Sequence, residues 1–204
     1  IDETIQSICE KYMQKGVEDN NVLNKGVCIA MDVNTGAILA MVTTDGYDLN
    51  NPYELSAKDK KKIKSTAKSK QAEAESAALS NMWRNKAVAD TYMPGSVFKM
   101  CVASAALEEN LVNEKTSFTC TGSIEVEGET IHCSNIAGHG TQNFVEVISN
   151  SCNPAFIQIG QMLGAGKFRQ YYQGFGFSDK TGIDLPGEAE DSFWKEGKMG
   201  GVDL

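Results

Sequence analysis

TYMPGSVFKM, residues 91–100, sets Ser96 and Lys99 three positions apart at the mouth of an apolar run. Pro94-Gly95 breaks whatever precedes, and SVFKMCVASAALEEN, residues 96–110, is helical in composition with apolar or small residues nearly all round, ending at Asn110. A helix of that kind is buried, so a lysine one turn into it needs a reason. Residues three apart on a helix share a face, with Cβ atoms about 5–6 Å apart, so Ser96 and Lys99 can touch. Ser96 also falls at the helix N-terminus, whose free N–H groups favour negative charge developing on a bound substrate. Burial disfavours an ammonium and lowers its pKa until a neutral amine can take a hydroxyl proton. The pair therefore reads as an activated nucleophile, against the plainer alternative of a snorkelling lysine. S-x-x-K also occurs at Ser65 to Lys68 and Ser192 to Lys195, but both lie in polar stretches with no apolar helix to tune the lysine.

A second constellation stands 55 residues on from Ser96: Ser151-Cys152-Asn153, at the junction of two helical pieces in NFVEVISNSCNPAFIQIGQMLG, the second opening with Pro154 in its first turn. A hydroxyl there can pass a proton between Lys99 and a leaving amine, and the Asn amide can hold Lys99 and a substrate carbonyl. The competing reading is an ordinary helix cap, since Ser and Asn both favour that position.

Around these motifs the chain reads as α+β. Ile5, Ile8, Cys9, Tyr12 and Met13 recur at helical steps from Asp2 to Val17, with Asp2 as cap. VCIAMDVNTGAILAMV forms an antiparallel hairpin turning at Asn34-Thr35-Gly36, apolar on both faces and so expected at the centre of a sheet. Residues 44–70 read as a Lys-rich loop insert, with Lys58, Lys60, Lys61, Lys62, Lys64, Lys68 and Lys70 on a solvated loop or helix face. QAEAESAALSNMWRN is helical, Ile124 to Ile131 alternates as a small exposed ribbon, and GFGFSDKTGIDLPGE is loop. At 204 residues, 41% hydrophobic and net charge −8, the chain suits one globular domain or a large part of one and argues against nucleic-acid binding. No stretch is long and apolar enough to span a bilayer, and both ends read as cuts in a longer protein.

PGSVFK followed by SCNPAF resembles the penicillin-binding proteins, a superfamily marked by S-x-x-K, S-x-N and K-T-G. AMDVNTGAILAMV, YMPGSVFKM, GHGTQNFVEVISNSCNPAFIQIG and GFGFSDKTGIDLPGE are all similar to the transpeptidase domain of the class B, monofunctional type, especially Firmicute examples of the stage V sporulation protein D group. The resemblance implies the penicillin-binding protein and serine β-lactamase-like fold, an antiparallel sheet flanked by helices, with residues 1–204 forming the N-terminal part of the domain. It implies peptidoglycan cross-linking. Ser96 attacks the D-Ala-D-Ala carbonyl of a stem peptide, Lys99 is base, Ser151 relays the proton, and Asn153 positions Lys99 and substrate. β-Lactams would acylate Ser96. It further implies no cofactor for catalysis, membrane anchoring on the extracytoplasmic face, and a glycan polymerase of the divisome or spore-cortex machinery as partner. Two rival readings are a D,D-carboxypeptidase or β-lactamase, needing a placed deacylating water, and a noncatalytic scaffold module of a cell-wall assembly.

The chain does contain Lys180-Thr181-Gly182, yet it follows Asn153 by only 27 residues and is succeeded by Ile183. In the family TGIDLPGE is a separate loop and the active K-T-G comes much later. Lys180 is therefore not expected to be catalytic, and the active strand is expected beyond Leu204. That leaves this piece without half of the oxyanion hole, and an active parent protein with an inactive fragment stays open as an alternative. Cys120, His132, Cys133 and His139 gather around the ribbon. Thiolate and imidazole suit tetrahedral zinc, with Asp32 or Asp90 as a further ligand. His132 is the first to omit, because neighbours on a strand point to opposite faces. Cys120, Cys133 and His139 are thus the candidate zinc ligands; a Cys120–Cys133 disulfide and free thiols stay open as alternatives. Cys9, Cys28 and Cys101 lie among apolar neighbours and read as core packing.

Overall fold

A computed structural model describes residues 1–23, 25–190, 193 and 200. The chain forms two compact units: residues 1–90 with 184–189, and residues 91–183 with the described residues after 189.

In the first unit α1 (Glu3–Asp19) is capped by Asp2, whose carboxylate accepts from Ile5 N at 2.9 Å. It lies against an antiparallel hairpin, β1 (Val27–Met31) and β2 (Ile38–Thr43), registered Val27 to Thr43 and Cys28 to Val42. The turn closes because the Asp32 carboxylate accepts from Asn34 N and Thr35 N while Gly36, at φ 73°, supplies the left-handed residue. The free edge of β2 is met by α1: Asp2 N donates to Leu39 O, and the Gln6 amide exchanges two hydrogen bonds with the backbone of Met41. Ala40 and Val42 are buried, but Ile29 and Met31 on β1 stand about half exposed. Among the described residues the hairpin is a two-stranded sheet, not the centre of a larger one.

The Lys-rich insert is not all loop. α2 (Ala57–Lys64) forms within it, capped by Ser56 toward Asp59 N, and a 3-10 turn follows at Lys68–Lys70. Lysine is a good helix former, and Ile63 and Asp59 turn inward while every lysine of the run is exposed, so the solvated helix face was the right half of the expectation. α3 (Gln71–Trp83) and the short α4 (Lys86–Ala89) complete the unit, with Trp83 Nε1 donating to Pro52 O at 2.6 Å.

The second unit is built on α5 (Lys99–Glu108) packed against α7 (Asn153–Gly174). Its core joins Val102, Ala105 and Ala106 to Phe144, Val147, Phe156, Ile159 and Leu163. α5 is buried on one side only: Met100 and Leu107 are exposed, so an all-round apolar sequence does not here mean all-round burial. β3 (Ser117–Cys120) pairs with β6 (Gly140–Asn143), and β4 (Ser123–Val126) with β5 (Glu129–His132) around a two-residue turn at Glu127-Gly128, both at positive φ. α6 (Phe144–Ser149) starts in a capping box, with Asn143 and Glu146 each bonding the other's backbone N–H. Asn143→Ala removes one of the two bonds and should cost about 1 kcal/mol, read as a lower urea midpoint at unchanged slope.

Candidate active site

All four candidate catalytic residues lie in the second unit. Ser96 stands exposed on a 3-10 turn, Gly95–Phe98, entered through Gly95 at φ 62° and running directly into α5. A turn at this place puts the Ser96 N–H among those with no intrahelical acceptor. Lys99 is half-buried at the first residue of α5 and reaches across to the α6–α7 junction. Its Nζ donates to Ser151 O at 2.7 Å, Ser151 Oγ at 3.0 Å and Asn153 Oδ1 at 2.6 Å. Phe156 presents its ring 5.2 Å from the same nitrogen. Burial holds the Lys99 ammonium below the ordinary lysine value, with negative charge at Cys133 and Cys152 pushing the other way.

The cap reading of the second motif is excluded by what these side chains touch. The residue in the cap position of α7 is Cys152, which makes no side-chain cap bond, while Ser151 and Asn153 turn to Lys99. Ser151 holds φ at 48°, a left-handed conformation that costs a non-glycine residue about 1 kcal/mol or more. Asn153 is fixed from behind, its Nδ2 donating to His132 O at 3.0 Å. Among the described residues no hydrogen bond joins Ser96 to Lys99, whose three donors are already engaged; the pairing expected from the three-residue spacing is not closed here. Catalytic hydrogen bonds often tighten only when substrate is bound.

Beneath the Ser151–Asn153 loop, Cys120, Cys133, His139 and Cys152 bring their ligand atoms within 4.8 Å of one another. Three of these are the residues singled out by composition; the fourth is Cys152, not Asp32 or Asp90. Asp32 is spent on the hairpin turn and Asp90 on Arg84. Cys120 and Cys133 are both buried. Two loops close over them so tightly that a Cβ at Gly138 would sit 2.4 Å from Cys120 O, and one at Gly122 2.1 Å from Ile136 O. Cys133 Sγ lies 3.5 Å from His139 Nδ1. Burial pushes the Cys133 thiol up, but backbone N–H groups of Asn135 and Asn153 more than offset it, leaving Cys133 below the ordinary thiol value. Cys152 is pushed up to about 11, chiefly by burial. His132 is exposed and contributes only its carbonyl, as its place on the strand requires.

Of the other motifs, Lys180-Thr181-Gly182 lies in irregular chain after α7, with Thr181 Oγ1 accepting from Ile183 N, not on a strand. Ser65 caps the exposed C-terminus of α2, and the Ser192 to Lys195 pair lies outside the described residues.

Ser96 and Lys99 thus open one helix, and a Ser-x-Asn loop grips the lysine. The family model for the penicillin-binding protein transpeptidase domain matches residues 26–201. Stage V sporulation protein D of Bacillus subtilis is 33% identical over the whole chain, which covers 28% of that protein, and peptidoglycan D,D-transpeptidase MrdA of Acinetobacter baumannii is 28% identical over 84% of the chain, covering 25% of it. Among solved structures, the D,D-transpeptidase domain of an Eggerthella lenta peptidoglycan glycosyltransferase matches at TM-score 0.60 and 29% identity, over 82% of this chain and 37% of that one. Penicillin-binding protein 3 of Mycobacterium tuberculosis shares the fold at TM-score 0.75 and 24% identity, over 99% of this chain and 40% of its own. The chain belongs to the penicillin-binding protein transpeptidase domain family. It spans about a quarter to a third of the length of the curated relatives it matches.

Proposed function

We propose that the chain carries the nucleophile half of a peptidoglycan D,D-transpeptidase, in which Ser96 is acylated by a D-Ala-D-Ala stem peptide, or by a β-lactam in its place. The observation that carries this reading is the three-bond grip of Ser151 and Asn153 on Lys99. Two of the acceptors, Ser151 O and Asn153 Oδ1, can only accept, so a neutral amine keeps both. The third is a hydroxyl, which can accept from an ammonium or donate to an amine lone pair. Lys99 can thus gain or lose a proton without rearranging its surroundings. In the acylation step Ser96 Oγ bonds to the carbonyl carbon as its proton passes to Lys99 Nζ. As the tetrahedral intermediate collapses and its C–N bond breaks, Ser151, 3.0 Å from Lys99 Nζ, gives its proton to the departing D-Ala nitrogen and takes one from the Lys99 ammonium. The Ser96 N–H, in the first turn and without an intrahelical acceptor, is available to the developing oxyanion. Intact mass and peptide mapping after incubation with a penicillin test this: one adduct on Ser96 supports it, and a folded chain that carries the family's K-T-G strand and still stays unlabelled removes it.

The same protonation argument fixes a pH dependence. The base must be neutral, so acylation is slow at acid pH, rises through the Lys99 pKa and levels above it. Because burial lowers that pKa, the midpoint should fall below the ordinary lysine value of about 10.4. Lys99→Arg, which cannot deprotonate, should lack the rising limb. A rate of acylation flat with pH in the unaltered chain would take the base role away from Lys99.

We also propose that Cys120, Cys133, Cys152 and His139 hold a structural zinc ion. Four soft donors within 4.8 Å match a tetrahedral Cys3His set, whereas a Cys120–Cys133 disulfide would use only two of them. Gln142 Nε2 is buried without a hydrogen-bond partner and lies where a thiolate at Cys152 would satisfy it. Bound there, the ion would brace the loop and take no part in acyl transfer. Metal content of protein prepared without chelator, read with thiol titration, separates zinc from a disulfide and from free thiols. Placement on the extracytoplasmic side of the cell membrane, beside a glycan polymerase, is part of the same proposal; no helix among the described residues is long and apolar enough to cross a membrane.

A further inference from the structure

The remaining thiols include a second pair, remote in sequence from the cluster and confined to the first unit. α1 meets the hairpin through residues spaced at helical steps. Asp2 N bonds Leu39 O, Gln6 bonds both backbone groups of Met41, and Met13 lies against Gly26, where a Cβ would sit 2.7 Å from its Sδ. Gly26 O in turn accepts from Thr44 N, so these contacts advance along β2 from residue 39 toward 44. Cys9 falls between Gln6 and Met13 on that stripe, and Cys28, paired with Val42, falls at the matching level of the hairpin. The two thiols are near enough to influence each other electrostatically, and both are half-buried. Cys28 shares its face of β1 with Ala30, opposite the buried Ala40 and Val42, and these small residues give α1 room to approach.

We infer that Cys9 and Cys28 are a disulfide-forming pair, oxidised by a small-molecule or protein disulfide to a bond that staples α1 across the hairpin. One thiolate attacks a sulfur of the oxidant's disulfide, forming a mixed disulfide and releasing one oxidant thiolate. The other cysteine then attacks the mixed disulfide, forming the Cys9–Cys28 bond and releasing the second. Two protons and two electrons leave the pair, and the oxidant is reduced to two thiols. The bond suits its place: α1 has no fully buried residue and holds to the hairpin mainly by backbone and side-chain hydrogen bonds. A cross-link there removes freedom from the unfolded chain that so small an apolar contact does not.

The test exposes the folded, reduced chain to glutathione disulfide, blocks residual thiols in acid, and maps peptides without reduction. A linked peptide containing Cys9 and Cys28 is expected, with a Tm gain of roughly 5–10 °C over the reduced protein. Cys9→Ser and Cys28→Ser should each abolish both the link and the gain. Cysteines that remain individually blocked, or that stop at glutathione adducts, overturn the inference, as does a linked peptide joining either of them to another thiol. Should one serine variant fail to fold, the mapping of the unaltered chain still decides, because it reads the bond itself.

Discussion

Ser96→Ala should abolish covalent capture of a penicillin, while Ser65→Ala, at the other described S-x-x-K, should leave it intact. The two serines have the same spacing to a lysine and opposite surroundings. Ser65 ends an exposed helix whose lysines all face solvent, so no buried nest of acceptors holds one of them in place. Ser96 opens the helix that delivers Lys99 into a half-buried nest of fixed acceptors. Lys99→Ala should slow acylation by about 10²–10⁴-fold, the usual worth of a positioned general base. The adduct site is read from the modified peptide by mass, the rate from the time course, and the fold of each variant from its thermal transition. If Ser96→Ala is labelled as fast as the parent, the nucleophile is elsewhere.

Ser151 and Asn153 separate from Ser96 in the same assay. Asn153→Ala removes one bond to Lys99 and also the bond to His132 O, so it loosens both the lysine and the loop behind it. Ser151→Ala leaves the Ser151 carbonyl on Lys99 and deletes only the hydroxyl. It should therefore spare the lysine's position and slow the steps that need a relayed proton.

What the sequence makes legible here is local. The α1 cap at Asp2, the turn at Asn34-Thr35-Gly36, the ribbon around Ile124 to Ile131 and the break before α7 each depend on residues within a few positions of one another, and each stands where its pattern puts it. The S-x-x-K and S-x-N motifs are legible for the same reason, and their resemblance to a known family joins them. Long-range partners leave no such trace. Cys152 is hidden as the middle letter of a motif read for its neighbours; its place beside Cys120 and Cys133 depends on two loops meeting at Gly122 and Gly138. The signal that could have found it was a third cysteine, with no other assignment, at the start of a helix next to two residues already in the site. The bounds of α2 are not legible because a lysine-rich stretch carries almost no apolar period, and its capping Ser56 is the better guide. The outer face of β1 reads as buried because its residues are apolar, yet Ile29 and Met31 remain half exposed.

Stripping metal from the Cys120, Cys133, His139 and Cys152 cluster should lower both the stability of the second unit and the rate of β-lactam acylation, although no ligand touches Ser96 in the proposed chemistry. The coupling runs through covalent neighbours. Cys152 is bonded directly to Ser151 and Asn153, and Cys133 directly to His132, whose carbonyl holds the Asn153 amide. Ser151 sits in a left-handed conformation, so the loop needs an anchor to keep that backbone in place. Release of an ion held a thousandfold above its dissociation constant forfeits about 4 kcal/mol, or roughly 10 °C in Tm. Loss of a brace around an active site typically costs about 10–100-fold in activity. Cys152→Ser should reproduce both losses and make chelator redundant, whereas Cys101→Ser, a half-buried thiol of α5 outside the cluster, should change neither response. Rescue by added zinc after chelation, in the unaltered chain and not in Cys152→Ser, distinguishes a brace from general damage. If the chain holds no metal as prepared, and chelator leaves Tm and acylation unchanged, the four residues are a packed thiol core. The loop would then owe its shape to Asn153 and His132 alone.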